Sequence, residues 1–276
     1  MIGTGAFTSL GFQLKDLNNP SVVLTLWVLG GILALSGAFS YAEVGTVISK
    51  SGGEYAFLSK IYNPLIGYLS GWISLTVGFA APIAFSEYFP FGNFNVKWMS
   101  IALVAVITLI HTRSLKLSAE FQNISTLLKV ILIVIIISIG LVLPEHSGNE
   151  IVSSKGYFTE LTSTAFAIAL IYVSYSYSGW NAAAYITEEF ENPLKSLPKA
   201  LIGGTVLVTV LYTLLQYVFL KHVPVNDLAG QINVGTIATK QMLGEKAGSF
   251  FGLAISLLLI SGISAMVWVG PRVTLS

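Results

Sequence analysis

The chain has 276 residues, of which 54% are hydrophobic and only 10% charged, whereas soluble domains average about 25% charged; this is the composition of a polytopic membrane protein. A formal net charge of +1 offers neither a nucleic-acid footprint nor a surface suited to a strongly acidic partner. The sequence contains no cysteine, which excludes disulfides (including one to an accessory subunit), thiolate metal sites and a cysteine nucleophile.

In chain order, Met1 runs straight into Ile2-Gly3-Thr4-Gly5-Ala6-Phe7 with no basic n-region, so no cleavable signal peptide is expected. The apolar run before Lys15 is shorter than the roughly 20 residues needed to cross a bilayer. A full span follows from Val22 to about Ile48, with Gly30, Gly31 and Gly37 available for close helix contact and Glu43 near its far end. Glu54 to Tyr62 reads as a short amphipathic interfacial helix. Pro64 then opens a span ending at Tyr88-Phe89-Pro90-Phe91-Gly92, and another runs from Trp98 to about Ile110. Ile124 to Leu143 is the clearest membrane helix, closed by Pro144 and carrying one charge, Lys129. After a polar connection, Phe166 to Asn192 has the length of a span but is interrupted at Tyr177-Ser178-Gly179-Trp180, with Asn181 expected to restart the helix. A further span starts at about Pro198 and reaches Lys221, short surface helices are expected between His222 and Gly248, and a last span runs from Ser249 to Gly270. The count is seven full spans preceded by one partial one. Assigning Lys50, Lys60, Arg113, Lys116, Lys195, Lys199 and Arg272 to one face leaves Lys15, Lys97, Lys155, Lys221, Lys240 and Lys246 on the other. The seven positive residues lie in the shorter loops, and that face is read as cytoplasmic.

The two interruptions carry the functional signal. In hydrocarbon each freed backbone N–H or C=O costs several kcal/mol, so a break persists only where protein, water or a ligand satisfies it. Gly3-Thr4-Gly5 precedes an apolar half-helix whose first N–H groups suit an anion such as a carboxylate, although glycines in membrane helices also serve as packing contacts. Tyr175 to Asn181 brings aromatics, hydroxyls and a glycine to mid-depth, either as an aromatic packing stripe or, paired with the first break, as a substrate site between two discontinuous helices. Lys129 costs about 2.5–3.5 kcal/mol at a helix centre; it either snorkels over the roughly 7.5 Å back to Ile124 or meets an internal partner. Glu43 fits an interfacial helix end or a gating network. Glu188, Glu189 and Glu191 with Lys195 read as a solvated turn, and His111, His146 and His222 show no metal-ligand spacing.

These residues also carry a family resemblance. Met1 to Phe7 is similar to the unwound first-helix motif of the amino acid–polyamine–organocation (APC) transporter superfamily. Ser40-Tyr41-Ala42-Glu43-Val44-Gly45 and Lys50-Ser51-Gly52-Gly53-Glu54-Tyr55 resemble its second-helix and first cytoplasmic-loop signatures. Tyr177-Ser178-Gly179-Trp180-Asn181, with Thr187-Glu188-Glu189 and Asn192-Pro193, resembles helix six of its L-type amino acid transporter branch.

The resemblance implies an all-α, LeuT-type five-plus-five inverted repeat with discontinuous helices one and six. Residues 1–144 would form the first repeat, and 145–276 part of the second. It implies a substrate site of Met1, Ile2, Gly3, Thr4, Gly5, Tyr175, Ser176, Tyr177, Ser178, Gly179, Trp180 and Asn181, with no cofactor and no metal. The substrate carboxylate would meet the N–H groups of Thr4 and Gly5, and its ammonium the carbonyls of Met1, Tyr175 and Ser178. Tyr175 would occlude the site from outside, while Trp180 and Asn181 line or brace it. Ser178 stands where the branch often has glycine, which implies a smaller or more polar pocket for small neutral amino acids. Lys129 matches the helix-five lysine of proton-coupled members, bracing the first helix and coupling protons.

The function expected is alternating-access amino acid transport in a cell membrane, by exchange or proton symport. The partners expected are an amino acid and membrane lipid, with no nucleic acid and no disulfide-linked subunit. The alternatives are a carrier of polyamines or other organic cations, and a fragment that does not transport alone, because family members have about ten core helices and this chain starts inside helix one and stops after helix eight. No HExxH, GxSxG or paired intramembrane acids suggest an enzyme, and no filter suggests a channel.

Overall fold

A computed structural model of the chain describes residues 2–3, 5–78, 96–113, 115–149, 151 and 156–275. Among them the secondary structure is entirely helical. The helices are α1 (Gly5–Gln13), α2 (Pro20–Val47), α3 (Glu54–Ile61), α4 (Pro64–Gly78), α5 (Val96–Arg113), α6 (Leu115–Val142), α7 (Tyr157–Leu161) and α8 (Thr164–Tyr177). A 3₁₀ segment (Ser178–Glu189) follows, then α9 (Pro193–His222), α10 (Val225–Leu228), α11 (Val234–Leu243) and α12 (Glu245–Leu275). Four stretches among the described residues are long and apolar enough to cross a membrane: Pro20–Val47, Ala119–Val142, Pro193–His222 and Glu245–Ala265. The span expected to end at Gly92 lies partly outside the described residues, since only Pro64–Gly78 of it is seen.

Local chemistry sets the helix ends. Pro20 occupies the first turn of α2, and Asn19 accepts a hydrogen bond from Ser21 N at 2.9 Å, the arrangement that satisfies an orphan N–H at a helix start. Glu160 of α7 accepts from Asn19 N at 3.1 Å, adding a carboxylate where the helix dipole favours one. Ser163 caps α8 through Phe166 N. At the far end of α6, Lys221 donates to the carbonyls of Gly140, Leu141 and Leu143 at 3.1, 3.0 and 2.7 Å, so a cation from α9 closes the C-terminal turn of its neighbour.

Two expectations are corrected. α9 begins at Pro193 rather than near Pro198 and continues through Pro198 by means of a π turn at Lys199–Gly203. Proline has no N–H to return to the preceding turn, and the widened turn absorbs that loss without ending the helix. The stretch between His222 and Gly248 does form short helices, but α11 buries Val234, Gly235, Ala238, Thr239 and Met242 and packs along α12.

The main core gathers Phe7 and Leu10 from α1, Trp27 from α2, Ile133 and Ile136 from α6, Val173 and Tyr177 from α8, and Tyr212, Leu215 and Phe219 from α9. Gly30 and Gly31 let α2 approach closely: a Cβ on Gly30 would lie 2.3 Å from a Val173 methyl carbon, and one on Gly31 would lie 2.2 Å from a Thr209 methyl carbon. Ile124, Leu127, Leu128, Ile131, Val134 and Ile135 point outward from α6, the face a bilayer would cover.

Candidate functional site

The start of α1 is where the structure is most specific. Ile2 and Gly3 lie outside regular structure, and α1 begins at Gly5. Lys129, only 3% exposed, donates to the Ile2 carbonyl at 2.6 Å. The lysine head group therefore turns inward to a backbone acceptor just ahead of α1, not toward the membrane surface. Four residues on, Gln216 of α9 donates to the Ala6 carbonyl at 2.8 Å.

The same turn meets the end of α8. A Cβ on Gly5 would fall 2.5 Å from Ser176 Oγ and 2.7 Å from its Cα, so only glycine permits this approach. Ser9 Oγ and Ser176 Oγ lie 2.6 Å apart, and Ser176 also donates to Tyr172 O at 2.9 Å. The hydroxyls thus tie α1 to α8 within one turn of both breaks.

Beyond Tyr177 the backbone does not unwind into an extended strand, and no α-helix restarts at Asn181. Ser178 (φ −54°, ψ −18°) donates its N–H to Tyr175 O, and 3₁₀ turns continue to Glu189 with one departure at Ile186 (φ −118°, ψ 30°). Tightening to 3₁₀ bonds preserves backbone pairing while changing the direction of the chain, and a 3₁₀ stretch inside a helix is a common site of a hinge or of local strain. Tyr177 is anchored by its hydroxyl, which donates to Trp27 O at 3.0 Å, and by ring contacts with Trp27 and Tyr212. Trp180 stands edge-on to Tyr41 at 4.8 Å between ring centres and lies over Gly37, where a Cβ would come within 2.7 Å of the indole. Asn181 and Tyr185 both donate to the carboxylate of Glu54 at the start of α3.

A cavity of about 200 Å³ adjoins the break, lined by Ile2, Tyr177, Gly179 and Trp180 together with Thr126 and Thr205 among others. Four of the sequence-predicted residues therefore share one space. Gly5 and Ser176 pack against each other, and Lys129 is linked to the cavity through its bond to Ile2. Tyr175 is 46% exposed, while Asn181 braces the break from the side of Glu54. Met1 and Thr4 lie outside the described residues. Sequence reasoning missed Gln216 and Glu54. Gln216 was visible as a lone amide in the apolar run Val206 to Leu220; Glu54 looked like an ordinary residue of a surface helix.

A chain built wholly of helices in its described residues, several of them long and apolar enough to cross a bilayer, is a multi-pass membrane protein. The sequence profile of the amino acid permease family matches residues 1–275, and the chain belongs to that family, which comprises permeases rather than enzymes. Among curated relatives, the b(0,+)-type amino acid transporter 1 of Homo sapiens is 35% identical over 83% of this chain and 50% of its own length. The serine/threonine exchanger SteT of Bacillus subtilis is 29% identical over 99% of this chain and 64% of its own length. The cystine/glutamate transporter of Homo sapiens is 29% identical over 94% of this chain and 53% of its own length. The chain thus spans about half the length of the human relatives it matches.

Proposed function

We propose that this chain carries the substrate site of a secondary amino acid carrier working by alternating access, for small or neutral L-amino acids, through exchange or proton symport. The observation that carries the reading is the Lys129–Ile2 bond: a buried ammonium spent on holding open the backbone of an interrupted helix, beside a second interrupted helix tied to it at Gly5 and Ser176. In this reading the N–H groups of Thr4 and Gly5 receive the substrate carboxylate, and the carbonyls of Met1, Tyr175 and Ser178 receive its ammonium. Ile2, Gly3, Ser176, Tyr177, Gly179 and Trp180 shape the space between, Asn181 holds the post-break segment, and Lys129 braces the first helix and relays the proton. The architecture is a five-plus-five inverted repeat, with 1–144 as the first repeat and 145–276 within the second, in seven spans and a half-helix. The relatives named above, all amino acid transporters or exchangers, support the substrate class.

The test is uptake of radiolabelled serine, threonine, alanine and leucine into proteoliposomes containing the complete carrier. Saturable uptake that is stimulated by unlabelled amino acid inside the vesicle is expected. Flux that rises linearly with concentration without counterflow would overturn the reading in favour of a pore, and saturable uptake of polyamines alone would move it to organic cations.

A further inference from the structure

The contacts around Glu54 do not belong to the substrate cage, yet they fasten the segment that leads out of it. Glu54 is the first residue of α3, and its two carboxylate oxygens are divided between Asn181 and Tyr185, four residues apart on the 3₁₀ segment. The Tyr41 hydroxyl of α2 faces the same carboxylate. Around it the link between α2 and α3 and the post-break segment are joined at three further points. Gly52 N donates to Tyr185 O at 3.2 Å, and Glu188 N donates to Ser51 Oγ at 3.1 Å. At Gly53 (φ +56°) the Tyr185 ring lies so close that a Cβ would come within 2.7 Å of it.

The mechanical consequence runs through Trp180. Its neighbour Asn181 is held by Glu54, its own ring rests on Tyr41 and Gly37, and Tyr41 in turn meets Phe57 of α3 edge-on at 5.4 Å. Trp180, Ala182 and Ala183 form one wall of the cavity at the break. That wall cannot swing away unless the Glu54 carboxylate lets go of both donors. A charge-assisted pair of hydrogen bonds in a half-buried setting is strong enough to hold such a segment and, being reachable by water, can be exchanged for solvent.

We propose that Glu54 is the latch of a gate: its carboxylate holds the post-break segment and Trp180 closed against α2 and α3, and its release opens the cavity toward the α3 face of the molecule. Glu54 acts as a positioning residue, since it touches the gate and not the substrate. The proposal rests on the carrier reading for the meaning of the gate, but not for its detection.

These 276 residues contain no cysteine, so labelling is read as the increment that each introduced cysteine adds over the parent protein. Ala183→Cys places a thiol in the cavity wall, and Thr25→Cys places one on α2 at the opposite end, beside Tyr157. Maleimide labelling of each is measured in the membrane-reconstituted protein with Glu54 intact, in Glu54→Gln and in Glu54→Ala. Loss of one and then both acceptors should raise the Ala183→Cys labelling rate stepwise, by about tenfold in Glu54→Ala, with Thr25→Cys unchanged. Asn181→Ala should reproduce part of the effect and add little on top of Glu54→Ala. An unchanged rate at Ala183→Cys, or an equal rise at both positions, would overturn the latch. If Glu54→Ala fails to assemble, Glu54→Gln and Asn181→Ala decide the matter by the same comparison. Failure of uptake with the labelling pattern intact would count against the carrier reading and leave the latch standing.

Discussion

The start of α1 and the end of α8 solve one physical problem in opposite ways. Ahead of α1 the Ile2 carbonyl lies outside the helix and accepts from Lys129 of α6, while in the first turn of α1 the Ala6 carbonyl accepts from Gln216 of α9. After α8 the backbone keeps its own hydrogen bonds by tightening to 3₁₀, and the chain is held through side chains, Tyr177 on Trp27 and Asn181 and Tyr185 on Glu54. The first arrangement is rigid, because releasing it would strand a buried lysine and a bare carbonyl in hydrocarbon. The second is held by side-chain bonds and by the Gly52 N–Tyr185 O bond, around a Glu54 carboxylate that is only half-buried. A start braced by buried donors beside a wall held at a half-buried carboxylate is compatible with the alternating access proposed above.

The contrast breaks most readily at Lys129. Lys129→Met deletes the donor and leaves the Ile2 carbonyl unpaired, a loss of about 1–3 kcal/mol for a buried polar group. Uptake by the complete carrier should fall by roughly tenfold or more, with its pH dependence flattened, as measured in proteoliposomes across pH 5 to 8 (on the order of the usual physiological window). Unchanged uptake with an unchanged pH profile would remove Lys129 from the mechanism. The next largest effect is expected at the contact between the two breaks. Gly5→Ala inserts a methyl where Ser176 already stands, and overpacking of this kind costs about 1–3 kcal/mol. Amino acid affinity should weaken by about fivefold to tenfold, read as a raised KM, with the thermal midpoint in detergent lowered as well. Ser176→Gly in the same chain should restore part of both.

Much of this arrangement was legible in the residues. The two breaks were visible because Gly3-Thr4-Gly5 precedes an apolar half-helix and Tyr177-Ser178-Gly179-Trp180 stands inside an apolar run, and the short helix at Glu54 was visible as an amphipathic stretch. Lys129 was legible as a charge that needed a partner, though its sequence neighbours left snorkelling open; only the fold brings Ile2 within reach across 127 positions. The 3₁₀ continuation was not legible, because Ala182-Ala183-Ala184 favours a helix and tertiary contacts with α3 override that propensity. Nor was the Glu54 contact, since a carboxylate at the start of an amphipathic helix already has a local reason to be there.

The smallest effect tests whether the two halves of the comparison move as one. Ser9 and Ser176 share a buried hydroxyl pair at 2.6 Å, but Ser176 has a second acceptor in Tyr172 O. Ser9→Ala therefore leaves no polar atom of Ser176 stranded and should cost only about 0.5–1.5 kcal/mol, the net worth of one intramolecular hydrogen bond. The fall in thermal midpoint should be slight. If the Ser9–Ser176 tie merely pads the interface, labelling of the Ala183→Cys gate reporter will not respond to substrate any differently in Ser9→Ala. If instead it transmits the position of the rigid α1 start to the hinge after Tyr177, substrate will protect that thiol less in Ser9→Ala than in the parent. Such a loss at so small a stability cost would place the coupling between cradle and gate in a pair of serines, upstream of the Glu54 carboxylate that completes the closure.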